Sequence, residues 1–157
     1  MYHQILLAVA LQPGEEFTRH ALAARQAAVS LAKGSGARLS VLSVYDYDDI
    51  KEPSVSADMA ARYREDMMQR IDGSMETTMK AFLAGVQAMD IAITPIVQAG
   101  EPRKTILDVA ERLPADLLVI GAHSKRSVLD VVLGGTAGYV SRHARCSVIM
   151  VTPRTEP

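Results

Sequence analysis

The sequence's strongest constraint on fold is a set of short, nearly unbroken apolar runs separated by helix-length segments. The first, Ile5-Leu6-Leu7-Ala8-Val9-Ala10, carries no polar residue to face water. A strand with that composition is covered on both sides, which is the condition of a parallel sheet between helical layers. Leu39 to Tyr45 (LSVLSVY), Ile91 to Val97 (IAITPIV), Ala115 to Gly121 (ADLLVIG) and Ser147 to Thr152 (SVIMVT) repeat the pattern. Pro95 inside the third run removes a ladder donor and predicts an edge strand.

The intervening segments read as helices. Pro13 and Gly14 mark a turn, and Glu15 and Glu16 are expected to load the first turn of an Ala-rich helix with the charge its dipole favours. That helix is predicted to end at Lys33-Gly34, with glycine as a left-handed cap. After the polar loop DYDDIKEPSVSAD, a long helix is expected to run to about Met89, weakened somewhat by Gly73 and Gly85. Its apolar side holds Met68, Ile71, Met75, Met79 and Phe82, a spacing that suits a core stripe better than a thioether metal site. GEPRKTILDVAERL predicts a helix with proline in its first turn, and Gly134 to Ala144 a last one.

Strands alternating with helices give an α/β fold with a doubly wound open sheet of five mainly parallel strands and helices on both faces. Right-handed crossovers favour doubly wound orders, here 3-2-1-4-5. The 157 residues fit a single domain spanning 1–157, with no repeat or linker dividing it. Ligands of such sheets bind beyond the carboxyl ends of strands at the switch point, here between strands one and four. Ala10 and Gly121 are thereby placed on opposite sides of the crevice.

With 48% hydrophobic and 22% charged residues and a net charge of −1, the chain reads as a soluble globular protein. That balance argues against dedicated nucleic-acid binding and against attraction to anionic membranes. No run approaches the length of a membrane span, and the first residues lack the pattern of a secretory leader, so a cytoplasmic protein without membrane insertion is expected. The single cysteine, Cys146, reads as a buried inert thiol.

The stretch GAHSKRSVLDVVLGGTAGYV, residues 121–140, bears on chemistry. Gly134-Gly135-Thr136 open the last helix, where first-turn amides have no intrahelical acceptor and can meet an anion. Gly121 permits close backbone approach, and Lys125 and Arg126 could neutralise charge. The dinucleotide and Walker glycine patterns are both absent. On spacing alone, a phosphate cradle and a tight helix entry are equally good readings.

With the residues that follow, through Val151, this stretch resembles the C-terminal signature of the universal stress protein family. Nucleotide-binding members carry G-x-x-G, nine residues, then G-[ST]. Here Gly121, the nine residues Lys125 to Leu133, and Gly134 are in register. ILLAVA, SVLSVYD and GEPRKTILDVAERLPADLLVIGAH resemble the other family blocks in order. The chain departs from the pattern at Ser124, at Gly135 and at Ala10, where the family has glycine, a hydroxyl residue and an aspartate. The resemblance implies ATP, with Mg²⁺, as the first candidate ligand. Adenine would lie toward Ala8 and Val44, with ribose and phosphates along Gly121, Ser124, Gly134, Gly135 and Thr136. His123 reads as a loop histidine near the ligand, with no catalytic residue assigned. It implies, too, a homodimer through Val148, Ile149, Met150 and Val151 of the last strand. The alternatives are a nucleotide-independent dimeric interaction module, which Ala10 and Ser124 favour, and a slow ATP hydrolase.

Elsewhere the signals are weaker. His3, His20 and His143 have no metal-ligand spacing, and His143 with Arg142 and Arg145 is expected on an exposed face. Asp46, Asp48 and Asp49 do not match a calcium loop and read as a solvated segment that could overhang the crevice as a lid. Tyr45 and Tyr47 could offer a stacking surface.

Overall fold

The computed structural model describes residues 1–14, 16–48, 50–121 and 135–154. Chain order is β1 (Gln4–Ala8), α1 (Arg19–Ser35), β2 (Arg38–Tyr45), α2 (Ala57–Ala84), β3 (Ile93–Ala99), α3 (Pro102–Arg112), β4 (Leu117–Gly121), α4 (Gly135–His143) and β5 (Ser147–Val151). The strands form one parallel sheet in the order β3-β2-β1-β4-β5, as expected. β3 and β5 are the edges, so Pro95 sits where its missing N–H does least harm.

Alternation along the strands splits the core in two. Ile5 and Leu7 of β1, Leu39 and Val41 of β2, and Leu117 and Val119 of β4 pack with α1 and the second half of α2. On the opposite face Leu6, Ala8, Leu42, Leu118 and Ile120 meet Ile106, Val109 and Ala110 of α3 and Val140 of α4. β1 is buried throughout, apolar from Ile5 to Ala8 as burial on both sides requires, while its buried Gln4 donates through Nε2 to Ser40 Oγ at 3.0 Å.

Several boundaries differ from the sequence reading. α1 begins after Glu16, capped by Thr18, whose hydroxyl accepts from the Ala21 N–H at 3.1 Å, and its first turn carries no acid. The left-handed cap is Gly36 (φ +70°), two residues beyond the expected Gly34, which is helical. α2 stops at Ala84 rather than near Met89. β1 stops at Ala8; just beyond it Val9 N–H makes a last ladder bond to the Leu42 carbonyl (2.9 Å), and Leu11 N–H turns to the buried Ser43 Oγ (3.3 Å). The α2 stripe is fully buried only from Met75 on, with Met79 and Phe82; Met68 and Ile71 are half-buried, and Ile71 packs against the core.

Candidate functional site

β1 marks the point where chain direction across the sheet reverses, since β2 follows it on one side and β4 lies on the other. Beyond the carboxyl ends of these strands opens a cavity of about 510 Å³. Ala8 to Leu11 form its floor, Leu42 and Val44 of β2 one wall, and Ile120 and Gly121 of β4 the other. The starts of three helices surround it: Phe17, Thr18, His20 and Ala21 at α1, Pro102 and Ile106 at α3, and Gly135, Thr136 and Ala137 at α4. The volume is within the range of small-molecule sites, and the mainly apolar walls suit a flat ring.

Of the residues singled out in the sequence, Ala8, Ala10, Val44, Gly121, Gly135 and Thr136 all come together here. His123, Ser124 and Gly134 lie outside the described residues, as do Lys125 and Arg126. Glu16, Thr18, His20 and Pro102 also reach the cavity, although the sequence reading assigns none of them to it. They come from a turn and from two helix starts, where no periodic signal reports which way a side chain faces.

The three helix starts differ in what they offer an anion. Thr18 caps α1 with its own hydroxyl, and the Glu101 carboxylate accepts from the N–H groups of Arg103 (3.2 Å) and Lys104 (3.0 Å) at α3. Both ends therefore use first-turn donors on their own side chains. Gly135 opens α4 with φ +78°, a conformation glycine adopts without strain, and a Cβ there would meet nothing within 4 Å. Gly135 and Thr136 bring the α4 entry into the cavity lining. Arg103 lies over the Tyr139 ring, 5.3 Å from its centroid, and ties α3 to α4.

Gly121 has a separate explanation. A Cβ built on it would stand 3.2 Å from the His20 carbonyl oxygen, so its lack of a side chain lets β4 meet the first turn of α1. Ala10 is exposed on the floor and brings no carboxylate. Glu16 is the acid among the described lining residues, and that lining contains no lysine or arginine.

None of the described residues of the loop after β2 lines the cavity. The hydroxyls of Tyr45 and Tyr47 both donate to Asp72 Oδ1 of α2, the latter at 2.5 Å, and the two rings pack edge to face. Burial first, and then the bond to the Asp72 carboxylate, push both phenols above the usual tyrosine range. Glu52 bridges to Arg64 at 3.7 Å, tying the loop to α2 a second time. The stacking and lid readings are thereby replaced by attachment to α2. Asp46 and Asp48 are exposed, with the Asp48 N–H bonded to Asp46 Oδ1, while Asp49 lies outside the described residues. Among the described residues no cluster of His, Cys, Asp and Glu could hold a metal ion. Cys146 is half-buried, and burial, then the nearby Asp116 charge, raises its thiol. His143, Arg142 and Arg145 are exposed. No described helix is long and apolar enough to cross a membrane.

Residues 1–152 match the universal stress protein family model. Universal stress protein Sll1388 of Synechocystis is 34% identical over 73 residues, a match covering 46% of this chain and 47% of that protein. The chain thus spans about half the length of that curated relative. Among solved structures, universal stress protein UspA from Lactobacillus plantarum superposes with a TM-score of 0.63 at 27% identity, covering 96% of this chain and 97% of its own. A universal stress protein in complex with cAMP gives a TM-score of 0.66 at 20% identity, covering 98% and 99% of the two chains. The protein from Archaeoglobus fulgidus in complex with dAMP gives 0.60 at 19%, covering 95% and 97%. With nearly its whole length matched by the family model and the expected sheet order in place, the chain belongs to the universal stress protein family.

Proposed function

We propose that this protein binds an adenine nucleotide, with ATP and Mg²⁺ as the first candidates, in the cavity beyond β1 and β4. The observation that carries the reading is the pairing of an apolar slot, Ala8, Leu42 and Val44, with the glycine-opened start of α4 in one cavity. The slot suits a purine, and the amides and Thr136 hydroxyl at the α4 entry suit phosphate oxygens. Two structural neighbours were solved with cAMP and with dAMP, which supports the ligand class. The ligand would serve as a signal in a cytoplasmic, stress-responsive module that pairs through β5, with no catalytic residue assigned.

The test is mass spectrometry of nucleotide retained by the purified protein, together with calorimetry using ATP and Mg²⁺. Retention, or a saturable heat abolished by Gly135→Asp, supports the proposal. Neither signal would overturn it and leave the second reading, a dimeric interaction module that works without nucleotide. That reading is favoured by the exposed Ala10, which offers nothing to a bound cation or ribose. ATP turnover lost in the same variant would point to a slow hydrolase.

A further inference from the structure

The 28 residues of α2 outrun the core they cover. Every buried residue of this helix lies from Met75 onward, so its first four turns lean on little of the sheet. On one side the loop after β2 is fastened to it by the Glu52–Arg64 bridge and by Asp72. A different side carries two neighbouring rows at fourfold spacing. One is apolar: Met59, 59% exposed, Tyr63, 40% exposed, and the half-buried Met67. The other alternates in charge, Asp58, Arg62, Asp66 and Arg70, all exposed. Residues four apart lie one above another, so each row is a continuous ridge.

We propose that this face pairs with the same face of a second copy, antiparallel about a two-fold axis near Tyr63. Such an axis brings the same ridge of both helices together and reverses its order. Reversal of the row sets Arg62, which flanks the Tyr63 ridge, against Asp66 of the second copy, twice over. Met59 then meets Met67, and Tyr63 meets Tyr63 across the axis. No charge in the row faces its like. The apolar ridge supplies burial, and the rim charges supply register and orientation more than affinity. Arg70 already bridges Asp66 within the helix at 2.9 Å, which holds both groups on the face where the partner's row arrives. This surface belongs to the β3 side of the sheet, the edge opposite β5. A chain that pairs through both would form assemblies larger than a dimer.

The pairing makes an unusual demand that mixing experiments can read. In Arg62→Glu, both 62–66 contacts of a homotypic pair become acid against acid, and in Asp66→Arg both become base against base. Mixed together, the two variants restore opposite charges at both contacts. Sedimentation over a concentration series should show the wild-type association step shifted at least tenfold to higher concentration in each single variant. It should return in the equimolar mixture. Association through β5 is common to all samples and cancels in the comparison. Tyr63→Glu should lose the step while keeping the wild-type thermal transition, since its side chain supports no core. Single variants that associate like wild type, a mixture no better than its components, or a wild type lacking the step would each overturn the proposal.

Discussion

Gly121 meets His20 so closely that a single added carbon would fall 3.2 Å from the His20 carbonyl oxygen. The contact joins the last residue of β4 to the first turn of α1 at the mouth of the cavity. The family motif gives this glycine to the nucleotide, and the packing gives it to the helix. Gly121→Ala should therefore destabilise the nucleotide-free protein by about 1 kcal/mol, the low end for overpacking, and Gly121→Val by about 2–3 kcal/mol. Urea denaturation without ligand checks this; unchanged stability in both variants would return the glycine to a purely ligand-facing role.

Restoring the acid at the floor of the cavity tests the ligand from the opposite direction. Ala10 is exposed, so Ala10→Asp is expected to fold normally. A carboxylate that meets a ribose hydroxyl or a metal ion is worth about 1–3 kcal/mol, or roughly 5- to 150-fold in affinity. Calorimetry should show tighter ATP binding to Ala10→Asp than to the native chain. A gain seen only with Mg²⁺ would assign the acid to the cation, and a gain that survives chelator would assign it to the ribose.

Tyr45 and Tyr47 give the fold a dependence on high pH. Their phenols are raised above the ordinary value by burial first and then by bonding to Asp72. In the unfolded chain they ionise near pH 10. Above that point the unfolded state holds fewer protons than the folded state, so stability falls as pH rises; below it their contribution is fully present. Unfolding free energies measured between about pH 9 and 11 should decline less steeply in a Tyr45→Phe, Tyr47→Phe double variant than in the native chain. Parallel slopes would show that these hydroxyls are not the groups responsible.

What the sequence disclosed depended on the range of the interactions involved. Burial on both faces writes itself into consecutive residues, so the strands, their parallel arrangement and the edge position of Pro95 were legible. Helix ends turned on single contacts. The choice of Gly36 over Gly34 and of Thr18 over the preceding glutamates was settled by one cap each. The cavity was half legible: Ala8, Ala10, Val44, Gly121, Gly135 and Thr136 follow from topology and motif. Glu16 and His20 do not, because their approach depends on how the turn after β1 folds back. The attachment of Tyr45 and Tyr47 to Asp72 joins residues more than twenty positions apart, and no local pattern announces it.

The two halves of α2 should answer mutation differently. Phe82 is fully buried, with the Phe17 ring edge-on at 5.1 Å and the Arg25 guanidinium over its face at 5.0 Å. Arg25 also donates to the Phe82 carbonyl at 2.6 Å. Phe82→Ala should cost about 3–5 kcal/mol, the range for a buried aromatic. Met59→Ala, on the exposed half, should stay within about 0.5 kcal/mol of the native value in dilute solution. Comparable losses at the two positions would mean that the first half of α2 packs against the core after all.

β5 offers the sharper test of pairing at the other edge. Ile149 packs against the core beneath the sheet, while Met150 is 43% exposed on the strand. Lysine at 149 would disturb both the core and any partner strand, so loss of a dimer there does not isolate the edge. Met150→Lys leaves the core alone. If two copies join through β5, both variants should run as smaller species by light scattering, and only Ile149→Lys should lower the unfolding midpoint appreciably. A Met150→Lys protein with unchanged mass would move the homodimer contact away from the centre of this strand. A drop in mass without a drop in midpoint would place an apolar, edge-to-edge contact at Met150, which is exposed on the edge strand.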